Sequence, residues 1–448
     1  MSKIFKKYKI LLSILIISAI ILPFTFYKSA ETERVAVATS IGIDKTGDEI
    51  ELSLNVVTPS SQGSATGGSI GTVKTFAGTG KNVSAAIAKI SLSVGKSVGL
   101  AHCDAVIVSK DILNQDVAKI IDYFIRSNNL TSNAIIFVTD GKAKDVIKAS
   151  ASDTSSFALT ISNIISFNKM FSFGDSINID NFYINYFSES GISILPMLST
   201  GAEDESVSSS SGNEETSGGS QNDDSSQSEG GEGQSQGGGG SQGQGENGGG
   251  AEPTQSGGGK QQNQSQKIIK NDGKIVVLKK GKYVCELNND QIFAINLINP
   301  KSVKGNITAK NVNNDIFKNA DLTYLIYDKT VKNTCYFAED IPIFNFDINL
   351  ILQIKEIVMN EYDFDSTNGT TAFLDKEVDS ALQKTIHENM ASLINLAKKE
   401  KIDLLKVYNK FHKFDTKKWD NYINSLDNKE DFLDKVIFTI NVNIQGKL

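Results

Sequence analysis

Three stretches of the 448-residue chain bring residue types with recognisable chemistry close together. Gly95-Lys96-Ser97 has the ending of a phosphate-binding loop, where backbone amides and a Lys hold phosphates. That chemistry needs a Gly five positions earlier, where Ile90 stands, and a preceding strand, where the sequence reads as helix. Residues 363–369, which start with Asp363 and Asp365, suggest a calcium loop. The Gly of that stretch is at the seventh position instead of the sixth and no Glu occupies the twelfth, so a solvated turn is the better reading. His102-Cys103-Asp104 supplies neither a metal-ligand spacing nor a defined base for a nucleophile, and His387 and His412 are far away in sequence. His102 reads as a structural hydrogen-bonding residue. No carboxylate pair stands out, so no catalytic, cofactor-binding or metal-binding residue is assigned. Enzyme activity is disfavoured, although a catalytic set can be scattered along a chain. Three Cys, an odd number, make no disulfide framework; Cys285 and Cys335 either pair or serve as small buried hydrophobes, and the second fits better.

The elements that would position these residues follow from periodicity. Residues 34–57 alternate apolar and polar on both sides of Thr46-Gly47-Asp48, which predicts two strands joined by a tight turn. Residues 60–71 read as a Ser/Gly loop, 72–76 as a strand, and 83–94 as a helix with Ile87, Ile90 and Val94 on one side. A strand at 105–108 precedes a helix striped by Leu113, Val117, Ile120, Ile121 and Phe124. A strand at 134–138 then turns at 140–146 into another helix. Residues 170–198 read as strands, notably 181–187 and 192–198, and residues 267–287 as hairpins with turns at Asn271-Asp272-Gly273 and Lys280-Gly281-Lys282. Strands continue from about Ser302 to 358. A long helix at 376–399 repeats Val378, Leu382, Ile386, Met390, Leu393 and Ala397, and an alternating strand at 436–444 closes the chain.

Between 201 and 259 stand eleven acidic residues and no Lys or Arg, while residues 1–27 hold four Lys; the remainder of the net charge of -7 is therefore neutral. A neutral folded portion leaves no footprint for nucleic acid. Residues 201–266 are too poor in apolar side chains to offset ordering entropy and are expected to be disordered. With strands on both sides, the tract reads as an excursion from one sheet. Residues 10–27 are the one run long and apolar enough to enter a bilayer, roughly 27 Å as helix. Lys3, Lys6, Lys7 and Lys9 keep the N-terminus in the cytoplasm and export the rest. Lys28 spoils the small-residue site at Ser29 and Ala30, which favours a retained anchor over a cleaved signal. The first Cys is Cys103, so no lipobox is present. The fold class is α+β and multi-domain, with mixed sheets and packed helices. The expected parts are an anchor at 1–30, an N-terminal α/β domain at 31–165, a β-rich middle domain at 166–300 interrupted by 201–266, and a C-terminal α+β domain at 301–448.

The order of several motifs resembles the C subunits of bacterial spore germinant receptors. It is carried by residues 39–45, by 94–109 with Gly95-Lys96-Ser97 and His102-Cys103-Asp104, by 122–127 and 138–146, then by 275–288, 401–414, Lys417-Lys418-Trp419-Asp420 and the last strand with Gly446. The resemblance implies a non-enzymatic, three-domain subunit without cofactor on the outer face of the spore inner membrane, assembled with integral membrane germinant receptor subunits in nutrient sensing. The family usually carries a lipobox Cys, so residues 10–27 would be the substitute anchor here. A membrane-anchored solute-binding module or wall-modifying enzyme is the rival reading.

Overall fold

The structure is a computed structural model that describes residues 35–58, 72–126, 130–152, 177–202, 267–299, 305–314, 317–359 and 374–446. The expected anchor at 10–27, the loop at 60–71, nearly all of the acidic tract and the turn at 363–369 lie outside the described residues.

β1 (Val35–Thr46) and β2 (Glu49–Thr58) form the predicted hairpin around Gly47, whose φ of 60° suits a tight turn. β3 (Thr72–Gly80) adds antiparallel to β2, and α1 (Val83–Val94) follows, capped by the Asn82 side chain accepting from the Ala85 amide. After the short β4 (Ser97–Gly99) come β5 (Ala105–Ser109), α2 (Val117–Arg126), β6 (Ile135–Thr139) and α3 (Ala143–Ser152). Then come α4 (Ile179–Phe187), β7 (Ile192–Ala202), β8 (Lys267–Lys279) and β9 (Lys282–Leu287). The sheet runs β3-β2-β1-β5-β6-β7-β8-β9, with β4 beside β1. β7 and β8, which flank the acidic tract, are neighbours in it. α1, α2 and α4 bury Ile90, Phe124 and Phe182 on one face, and α3 covers the other with Val146 and Ile147. α3 can lie this close because Gly42 of β1 has no side chain: a Cβ there would meet Ser53 Oγ at 2.4 Å and Ile147 at 2.8 Å.

α5 (Asn289–Ile298) leads into a second sheet of β10 (Asn306–Val312), β11 (Ala320–Ala338), β12 (Ile341–Val358) and β13 (Ile437–Gly446), in that order. β11 and β12 pair antiparallel from Asp321↔Val358 to Ala338↔Ile341, and β13 runs parallel to β12. α6 (Lys376–Lys399) packs its stripe on this sheet; Val378, Leu382, Ile386, Met390, Leu393 and Ala397 are all buried. Asp375 caps it, accepting from the Val378 amide at 2.8 Å. α7 (Val407–Phe414) and α8 (Thr416–Asn424) complete the core, with Trp419 stacked on Phe411 at 4.8 Å between centroids. β8 serves both cores: Val276 and Leu278 face the first, Ile275 and Val277 the second.

Two sheets and eight α-helices among the described residues make a mixed α+β fold. Local readings are corrected in three places. Residues 181–187, expected as strand, belong to α4: Ile179, Phe182, Tyr183, Tyr186 and Phe187 also fit helical spacing, and the Asn178 side chain accepts from the Asn181 amide at 2.9 Å. The stripe beginning at Leu113 is broken, because Lys110–Asn114 is a separate 3-10 turn and α2 starts afresh at Val117. No turn forms at 271–273; β8 passes through, with Gly273 at φ 65°.

Candidate functional site

The residues singled out by chemistry are consumed locally. Gly95 is the left-handed cap of α1 (φ 71°), and its amide and that of Lys96 both donate to the Ser91 carbonyl, at 2.9 and 3.3 Å. Those amides close a helix and are not aimed at a phosphate. His102 is exposed, without the structural hydrogen bond expected of it among the described residues, whereas Cys103 beside it is buried and its Sγ donates to the Ala38 carbonyl at 3.2 Å. Burial pushes that thiol far above its usual range. His387 bridges elements, with Nδ1 at 2.7 Å from the Gln383 carbonyl and Nε2 at 3.2 Å from that of Ile440, and His412 stacks on Tyr408 at 5.9 Å. Cys285 and Cys335 are free thiols and do not pair. Among the described residues no cluster of His, Cys, Asp and Glu could hold a metal ion, and no helix is long and apolar enough to cross a membrane.

Side chains from distant parts of the sequence instead converge on a cleft of about 320 Å³. One wall is the turn after α4, with Glu189 and Ser190, together with Lys279 at the end of β8. The turn is held by Lys280, whose amide donates to the Gly191 carbonyl at 2.8 Å and whose Nζ donates to the Ser188 carbonyl at 2.7 Å. The other wall comes from the loop after α6, from Tyr408 of α7, from Asp420 and Ile423 of α8, and from Lys429 to Phe432. Lys279 ties the walls together, donating to Glu430 at 2.8 Å and to the Lys401 carbonyl at 3.1 Å; that bond holds the Glu430 carboxyl below its ordinary pKa. Lys401 pairs with Asp431 at 2.6 Å.

At the floor lies Asp403, 5 % exposed. Its carboxylate accepts from the amides of Val407 at 2.8 Å and Tyr408 at 2.9 Å, so it caps α7. Burial nevertheless outweighs these bonds and pushes its pKa up to about 6. Burial, and then the carboxylates of Glu189 and Asp420, raise the Tyr408 phenol as well. A wider depression of about 550 Å³ between α1 and α2 carries Lys119, Asp122 and Arg126 at its surface, the last two already paired at 2.5 Å. Sequence reasoning missed the cleft. Its one readable signal was Asp403 itself, an acid enclosed by Ile402, Leu404 and Leu405.

Two family models match most of the chain. Residues 28–200 match the spore germination protein N-terminal domain, and residues 272–447 match the C-terminal domain described as spore germination B3/GerAC like. YfkR of Bacillus subtilis (strain 168), to which a spore germination role is ascribed, is 28 % identical over 122 residues, or 26 % of this chain and 32 % of YfkR; the chain thus spans about a third of that relative's length. The crystal structure of the GerBC protein aligns over 91 % of this chain and 97 % of its own, with 12 % identity and a TM-score of 0.47.

Proposed function

Since the chain belongs to the C-subunit family of spore germination proteins, with its N-terminal and GerAC-like C-terminal domains in order, we propose that it is the C subunit of one nutrient germinant receptor. In this reading it turns over no substrate and works by holding integral membrane subunits in a responsive assembly at the extracytoplasmic face of the spore inner membrane. The observation that carries the proposal is the pair of domain matches, which leaves only residues 201–271 and the two ends of the chain unmatched. The apolar run at 10–27 with Lys on its N-terminal side supports the membrane location. Gene deletion tests the role: spores are expected to form normally and to respond poorly to at least one nutrient in a strain without overlapping receptors. Normal germination of that strain with every nutrient would overturn the reading.

A further inference from the structure

The charge of α7 and of the first turn of α8 is uncompensated. Residues 406–418 hold five Lys and a single acid, Asp415, whose carboxylate is spent on capping α8, accepting from the Lys418 amide at 3.0 Å. Lys406 faces Asp403, whereas Lys410, Lys413, Lys417 and Lys418 are exposed and enter no ion pair among the described residues. Lys418 lies over the Phe337 ring at 6.0 Å. Lys410 has Lys413 and Phe414 three and four residues on, so the three share one side of α7, and Phe414 is 59 % exposed. Asp420, Glu339 and Asp340 are the acids closest in sequence to these side chains and to Phe337, and the four unpaired Lys outnumber them. Clustered Lys around an exposed aromatic ring is the pattern of a helix that lies in a membrane interface.

The place of this surface in the fold points to the same partner. β1, β5, β6 and β7 run parallel, so Val35 and Ile192 start at one end of the first sheet. The Lys280 amide donates to the Gly191 carbonyl, which brings the end of β8 there too. At that end Lys279 donates to the Lys401 carbonyl and lines the cleft together with Tyr408 of α7. The apolar run stops at residue 27 and β1 begins at Val35, and eight residues reach at most about 30 Å. With residues 10–27 in the bilayer, the end of the sheet that carries α7 is therefore held within reach of the headgroups. Resting on the membrane location put forward above, we propose that α7 and the start of α8 dock on anionic phospholipid. Lys410, Lys413, Lys417 and Lys418 lie against headgroup phosphates, and Phe414 sits among the upper acyl carbons.

The test uses the full-length protein reconstituted in vesicles, with Phe414→Trp as reporter and brominated lipid as a short-range quencher. Wild type, whose single Trp, Trp419, is fully buried, gives the background. In vesicles rich in phosphatidylglycerol the variant is expected to be quenched well beyond wild type, and in pure phosphatidylcholine not beyond it. Adding Lys410→Gln, Lys413→Gln and Lys417→Gln together is expected to weaken docking about a hundredfold and to abolish the extra quenching. Tm is expected to stay unchanged, since all three positions are exposed. Protein that stays with both kinds of vesicle while residue 414 goes unquenched overturns the docking surface and leaves the membrane location standing; protein that leaves both kinds overturns the two together. Equal quenching in phosphatidylcholine, or full quenching without the three Lys, removes the role of the charges and overturns the proposal. Emission from residue 414 that shifts to the blue with protein concentration in detergent, before lipid is added, marks a second copy as the occupant and overturns it as well.

Discussion

Asp403 shows at the residue scale how fold and electrostatics compete. Two amide donors favour its ionised form, yet at 5 % exposure the loss of hydration wins and lifts the pKa from 3.8 to about 6. A raised carboxyl pKa means the folded state holds a proton that the unfolded chain has released, so stability falls as pH rises from about 4 to about 6, by up to about 3 kcal/mol. Urea midpoints across that range are expected to fall more steeply for wild type than for Asp403→Asn. Asp44, also raised by burial, contributes equally to both and cancels in the difference. Parallel curves would show that Asp403 is solvated. The site was poorly legible at this scale because its members come from positions 189–190, 279, 401–408 and 420–432, and no local spacing links them. The motifs that were legible, Gly95-Lys96-Ser97 and His102-Cys103-Asp104, prove to be a helix end and a buried thiol between exposed neighbours.

Legibility at the element scale followed the strength of the periodicity. The hairpin of β1 and β2, the helix α1 and the long helix α6 lie where alternation or a stripe sustained over three or more turns put them. α4 was misread because a short, aromatic-rich segment satisfies both periods, and only its Asn178 cap decides. α5 was passed over although Asn288 and Gln291 form a capping box, since the strand-like residues before it dominated the reading. The phase of α6 is tested directly. Leu382 is fully buried, so Leu382→Ala is expected to cost about 2 to 5 kcal/mol in denaturant unfolding. Lys384, 77 % exposed with Glu388 at 3.9 Å, is expected to tolerate Ala within about 0.5 kcal/mol. Equal losses would place the helix in a different phase.

For the whole molecule, β8 matters most: a single strand contributes Val276 and Leu278 to one core and Ile275 and Val277 to the other, coupling the two sheets. β7 and β8 are neighbours, with Gly201 beside Lys270, and the sequence between these strands includes residues 203–259. Replacing them by a short Gly/Ser linker is expected to move Tm by no more than a few degrees, since loop closure costs only about 0.6 kcal/mol per doubling of length. Loss of cooperative unfolding would show that the acidic stretch packs on the core. The proposed function reaches beyond these properties, because it would make the chain one part of an assembly. Its most direct test is purification of the tagged protein from detergent-extracted spore membranes, followed by mass spectrometry of what accompanies it. The account predicts co-recovery with multi-span membrane subunits, and peptides from the first thirty residues in the membrane fraction. Recovery alone, from a soluble fraction and in abundance from vegetative cells, would contradict it.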